Sequence, residues 1–180
     1  MATIARCTKE AAKFENYMSD VVKVVDGMAD ATGKVSNKMA ENGRTYAENY
    51  AILEERLKDL STQIPYTFED LTRLAAAAGQ SGKTFEDLTQ TDFLKDIAMW
   101  GTAMDISAGQ AGDWGAKWEQ AFNMNHEQVM EVADVINYLG NNYATTAAEI
   151  AQSVNDAASM GQLAGVDVKA TAAIAASMQA

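Results

Sequence analysis

The stretch Ala77-Ala78-Gly79-Gln80-Ser81-Gly82-Lys83-Thr84 has residue types that could cradle a phosphate. It fits a relaxed phosphate-loop pattern, with alanine in the place of the first glycine. A working loop of this kind follows a buried strand and opens a long helix, so that backbone N–H groups converge on the phosphates. Here the residues before it, Leu71 to Ala78, read as a helical alanine run. The residues after it include Glu86 and Asp87, which put two carboxylates where phosphate would sit. No apolar strand ending in aspartate follows to hold magnesium. The expectation is an ordinary turn between two helices that binds no nucleotide.

His126 is the only histidine. Catalysis through it would need a nucleophile or an orienting carboxylate close by. Glu127 and Glu131 are near in sequence, and Cys7 is far away on another segment. The expected role is a surface histidine at a helix N-terminus. The pairs Glu54-Glu55, Glu69-Asp70 and Glu86-Asp87 are adjacent residues. Adjacent residues point to different sides of a helix, so these carboxylates should not converge on a substrate. With one cysteine, Cys7, neither an intramolecular disulfide nor a cysteine zinc site can form. Trp114, Trp118 and Phe122 recur every four residues, with Trp100 on the preceding helix. Core packing is their expected role, and contact with a partner protein is the alternative. Ten methionines point to adaptable packing rather than to a cofactor. No catalytic, cofactor-binding or metal-binding residue is assigned.

The elements that would position these residues are helices. In the first segment Phe14, Met18, Val21, Val25, Met28, Thr32, Val35 and Met39 alternate spacings of 4 and 3. Gly43, Tyr46, Tyr50, Leu53, Leu57, Leu60 and Ile64 continue the rhythm after a stutter at Met39. So narrow an apolar seam wants a partner helix. One helix from about Lys9 to Gln63 would be roughly 80 Å long at ~1.5 Å per residue. Gly33 and Gly43 are its weak points, and a break there would make a hairpin. The Asn42-Gly43 pair is also a turn signal. Ile64-Pro65 ends the helix in either case. The resulting expectation is that this arm associates with other copies of itself.

After Pro65 the spacing predicts several short helices. Thr67-Phe68-Glu69-Asp70-Leu71-Thr72 returns as Thr84-Phe85-Glu86-Asp87-Leu88-Thr89, a period of 17. Each copy has threonine at an N-cap position and acids in the first turn. Helices are expected over Thr67 to Ala78, briefly at Thr84, and over about Asp92 to Met104. Gly79 and Gly82 are expected to serve as C-cap and turn. A helix over Ile106 to Phe122 carries Gly109, Gly112 and Gly115. Asn125 with Gln128 should open a helix with Val129, Val132, Ala133, Ile136 and Leu139 on one face, stopped by Gly140-Asn141-Asn142. Thr146 and Glu149 form a capping box for a helix to Met160. Gly161 to Gly165 should turn, and Asp167 should cap a last helix. That helix has no stop signal, which suggests a longer parent. No strand is expected. The predicted fold is all-α: a long N-terminal helix or helical hairpin, then an irregular bundle of about six short helices. Residues 1–64 form the arm and residues 65–180 an acidic small-helix domain.

Charge divides at the same place. Residues 1–64 carry 9 basic and 10 acidic side chains, and residues 65–180 carry 5 and 15, within a total of −11 over 180 residues. An excess of acid repels phosphate, so direct nucleic-acid binding is not expected. Apolar residues at 48% suffice for a core, and one proline leaves long stretches free for helix. The longest uncharged run, Val135 to Ala148, is too short and polar to span a bilayer. Arg6, Lys9, Glu10, Lys13 and Glu15 break any apolar signal-peptide core.

From about Asp59 to Ala180 the chain resembles a known family. Three blocks carry the likeness: Leu60-Ser61 with Ile64-Pro65-Tyr66-Thr67-Phe68-Glu69-Asp70-Leu71; Leu74-Ala75-Ala76-Ala77-Ala78-Gly79-Gln80-Ser81-Gly82; and Asn137-Tyr138-Leu139-Gly140-Asn141-Asn142-Tyr143-Ala144-Thr145-Thr146-Ala147-Ala148-Glu149-Ile150 with Gly161-Gln162-Leu163-Ala164-Gly165-Val166. In this order they look like the core region of bacteriophage tail tape measure proteins. The resemblance implies a large helical, non-enzymatic protein in the tail tube of the virion, made in the host cytoplasm. It implies a protein that sets tail length, templates the tube and leaves through it during genome ejection. It also implies tail tube, tail tip or baseplate, and tail assembly chaperone proteins as partners, and no cofactor. The alternative is a cellular helical scaffold module that oligomerises through its arm.

Overall fold

The computed structural model describes residues 13–28, 43–159 and 168–179. The all-α expectation holds across them. The helices are α1 over residues 13–22, α2 (Tyr46–Gln63), α3 (Phe68–Gln80), α4 (Phe85–Gln90), α5 (Phe93–Met104), α6 (Ala108–Ala121), α7 (His126–Asn142), α8 (Ala147–Ser159) and α9 (Val168–Gln179). No strand occurs among the described residues; an isolated bridge joins Asp26 to Thr84.

The single helix from Lys9 to Gln63 is not formed. Helix ends at residue 22, where the N–H groups of Val24 and Val25 both turn back to the Val21 carbonyl, at 3.1 and 3.2 Å. At Asp26-Gly27 the chain is no longer helical, and Gly27 has φ +86°, which a side chain would resist. The break therefore falls in the Val21–Gly27 stretch, where β-branched residues weaken helix and Asp-Gly favours a turn. Gly43 (φ +75°) does mark a turn before α2; Gly33, Met39, Cys7, Asp167 and the turn at Gly161 to Gly165 lie outside the described residues. Residues 13–28 lie against α2. Lys58 of α2 lies 4.7 Å from the Phe14 ring at one end. At the other, the buried Asn49 amide donates to the Gly27 carbonyl at 3.1 Å.

Among the described residues most of the heptad seam is covered by the chain's own core. Met18, Val21, Val25, Met28, Leu53, Leu57 and Leu60 are buried in one cluster with Leu71, Leu74, Ala78, Phe85 and Leu88. That cluster runs through the Pro65 boundary. A strap, residues 13–28, crosses both copies of the 17-residue repeat. At the first copy Phe14 stacks on Phe68, with ring centroids 4.4 Å apart. At the second, the Phe85 N–H donates to the Asp26 carbonyl at 2.7 Å.

The predicted caps are present. The Thr67 and Thr84 hydroxyls accept N–H bonds from Asp70 and Asp87, whose carboxylates accept the threonine N–H groups in return. Asn125 pairs with Gln128, and Thr146 with Glu149, in the same reciprocal way. Two glycines expected to end helices lie inside them. α3 runs through Gly79 to Gln80, and Gly79 makes room for the strap, since a Cβ there would meet the Val25 side chain at 2.7 Å. α7 runs through Gly140 to Asn142, and the start of α8 crosses over Gly140. α6 is helical throughout. At Gly112 it lies against the backbone of α3, where a Cβ would stand 3.0 Å from the Leu74 carbonyl carbon. Trp100, Trp114 and Trp118 are core residues, the first and last meeting edge to face at 5.0 Å. Phe122 is only half-buried.

Candidate functional site

The densest group of buried charge gathers around His126. Four elements build it. The turn between α3 and α4 supplies Lys83, α5 supplies Asp96 and Phe93, the end of α6 supplies Glu119, and α7 begins at His126 itself. The Lys83 ammonium pairs with Glu119 while both side chains are largely shielded, at 12% and 16% exposure. The same ammonium lies 4.4 Å from the centre of the Phe93 ring, a cation–π position. His126 Nε2 is 3.0 Å from Asp96 Oδ2. Its Nδ1 is 3.4 Å from Glu119 Oε1, a charge contact with no hydrogen bond at that nitrogen.

These neighbours set the charge states. The Glu119 carboxylate holds the His126 ring above the ordinary histidine value; burial opposes this, and Asp96 reinforces it. Burial alone would raise the Glu119 carboxyl, but His126 and Lys83 together outweigh that effect and hold it below the usual range. A protonated ring in this position donates to Asp96 through Nε2 and sets its charge against Glu119 without a hydrogen bond. That arrangement suits structural charge pairing rather than proton abstraction, which needs a free lone pair on the ring.

His126 is therefore not the surface histidine expected from sequence. It is half-buried, and its partners Asp96 and Glu119 come from 30 and 7 residues away. No spacing rule links those positions. The sequence placed His126 only at the start of α7, through the Asn125 cap. The turn that joins α3 to α4 was expected at Gly79 to Lys83 and begins only at Ser81, after the helix has run through Gly79. Its serine is engaged as well, the Ser81 hydroxyl donating to Asp113 at 2.5 Å. The adjacent carboxylates diverge: Glu54 pairs with Lys58, Glu69 with Arg73, and Asp70 and Asp87 turn back to their caps. Among the described residues no three His, Cys, Asp or Glu side chains are placed to hold a metal ion. No helix among them is long and apolar enough to cross a membrane.

Residues 54–180 match the model of a family described as phage-related minor tail protein. Over 165 residues the chain is 31% identical to a probable tape measure protein of Halomonas phage phiHAP-1, an alignment covering 88% of this chain and 19% of that protein. The chain thus spans about a fifth of that relative's length. No solved structure matches it. The matched region begins within α2 and takes in all four elements around His126.

Proposed function

The chain belongs to the phage-related minor tail protein family, and from that membership we propose that it is a segment of a tape measure protein, a structural part of the phage tail whose own length sets the length of the tail. The observation that carries this reading is the alignment with the phage protein, which extends over 88% of the chain. On this reading the parent protein lies in the lumen of the tail tube, templates the polymerising tube and leaves through it at genome ejection. Its partners are tube proteins, the tail tip or baseplate, and chaperones that hold it in the host cytoplasm before assembly. Its role is structural, with no cofactor. Association of copies through the arm stays part of this reading, but it cannot use Leu53, Leu57 and Leu60, which are fully covered by the chain's own core.

The test is in-frame removal of these 180 residues from the parent gene, with tail length measured by electron microscopy. If the segment is helical and fully extended in the tail, the loss is about 180 × 1.5 Å, or ~270 Å; a segment that stays compact gives less. Tails of unchanged mean length would sink the ruler reading.

A further inference from the structure

α7, α8 and α9 pack on one another, and α3 through α6 pack on one another. The two groups meet where α5 and α6 touch α7, and where α6 touches α8. His126 stands on that boundary, at the first position of α7. Asp96 faces it from α5 and Glu119 from α6. Lys83, from the turn before α4, balances Glu119. From its own helix come the exposed Glu127 and the positive end of the helix dipole, which disfavours a charged ring there. A neutral imidazole can still donate to Asp96 through Nε2, but it has no charge to set against Glu119. That carboxylate then loses its share of positive charge in a half-buried site, where it counts for more than in water.

We propose that His126 is a protonation latch between the two halves: charged, it ties the first turn of α7 to α5 and α6; neutral, it releases that turn, so that α7 opens more readily than α3 and α6. The direction follows from the ring's raised value. A histidine that binds its proton more tightly in the closed form favours closure at low pH, and the stabilisation fades as pH rises through the folded value. Glu119 has the opposite sign: its value is lowered in the folded chain, so its contribution fades as pH falls through the carboxylate range. The latch is therefore fully engaged only between those limits.

Amide hydrogen exchange on the intact 180-residue chain tests this, read at several pH values and corrected for intrinsic chemistry. Because there is one histidine, the ring C–H signal in NMR reports its titration without ambiguity. The expected result is that protection in α7 falls as the ring loses its proton, about tenfold for each unit by which the folded value exceeds the unfolded one. Protection in α3 and α6 should not follow. His126→Gln should leave α7 at the less protected level at every pH, and Asp96→Asn should move the ring titration downward. Should a variant fail to fold, the unmodified chain still decides the matter. Protection of α7 that stays flat across the ring titration, or that falls in step with α3, overturns the latch.

Discussion

Gly112 has room for a hydrogen and nothing larger. A Cβ there would run into the Leu74 carbonyl, a backbone group that cannot swing aside. Gly109, one helical turn earlier, has nothing within 4 Å of the same atom. The same substitution should therefore have opposite signs at the two sites. Gly112→Ala should destabilise by about 1–3 kcal/mol, as overpacking does. Gly109→Ala should stabilise by about 0.5–1 kcal/mol, because alanine is the better helix former. Urea unfolding of the two variants gives both signs, and equal shifts would show that the approach of α6 to α3 is looser than described. Neither glycine could be told from the other in sequence, since both fall three apart in one run. Asn49 was equally illegible: it sits in a helix between half-buried tyrosines, and the acceptors its amide finds at residues 27 and 28 are more than twenty positions away. The tryptophans were legible, because their recurrence places them on one face whatever the fold.

Helices were read correctly where a local motif specified them. The Thr–Asp, Asn–Gln and Thr–Glu caps act over three residues, and each opens a helix where expected. The arm was misread because a 4-3 rhythm reports which residues are buried, not what covers them. Val25 and Met28 keep their places in the rhythm although the chain there is no longer helical. Changing Leu53 and Leu57 together to aspartate now has a different expected outcome from that of a coiled coil. Both side chains are fully buried. Each forfeits about 1.5–3 kcal/mol of burial, and each introduces a charge without a partner. Their sum is comparable to the whole stability of a domain, about 5–15 kcal/mol. The double variant should lose its helical circular dichroism at 25 °C. A variant that stays fully helical, with only a drop in solution mass, would restore the intermolecular seam.

Across the whole molecule the acid excess is lopsided, with 15 acidic and 5 basic side chains after residue 64. Salt acts on this in two ways. It weakens exposed pairs such as Glu54–Lys58 and Glu69–Arg73, worth a few tenths of a kcal/mol each. It also screens the repulsion among the unpaired acids, which destabilises the compact state. With three acids for every base in that part, the second effect should win. Raising salt from about 0.01 M to about 0.15 M shortens the screening length from ~30 to ~8 Å, and the urea midpoint should rise. A falling midpoint would mean that the ion pairs matter more than the net charge. The strap has a consequence of another kind, in the order of synthesis. Met18, Val21, Val25 and Met28 leave the ribosome before the surface that covers them, and the backbone bond from Asp26 to Phe85 closes only 59 residues later. At about 5–20 residues per second that is roughly 3–12 s. For that interval the nascent chain shows a row of apolar side chains to whatever holds unfinished proteins, and it withdraws them only when the second copy of its own repeat has been made.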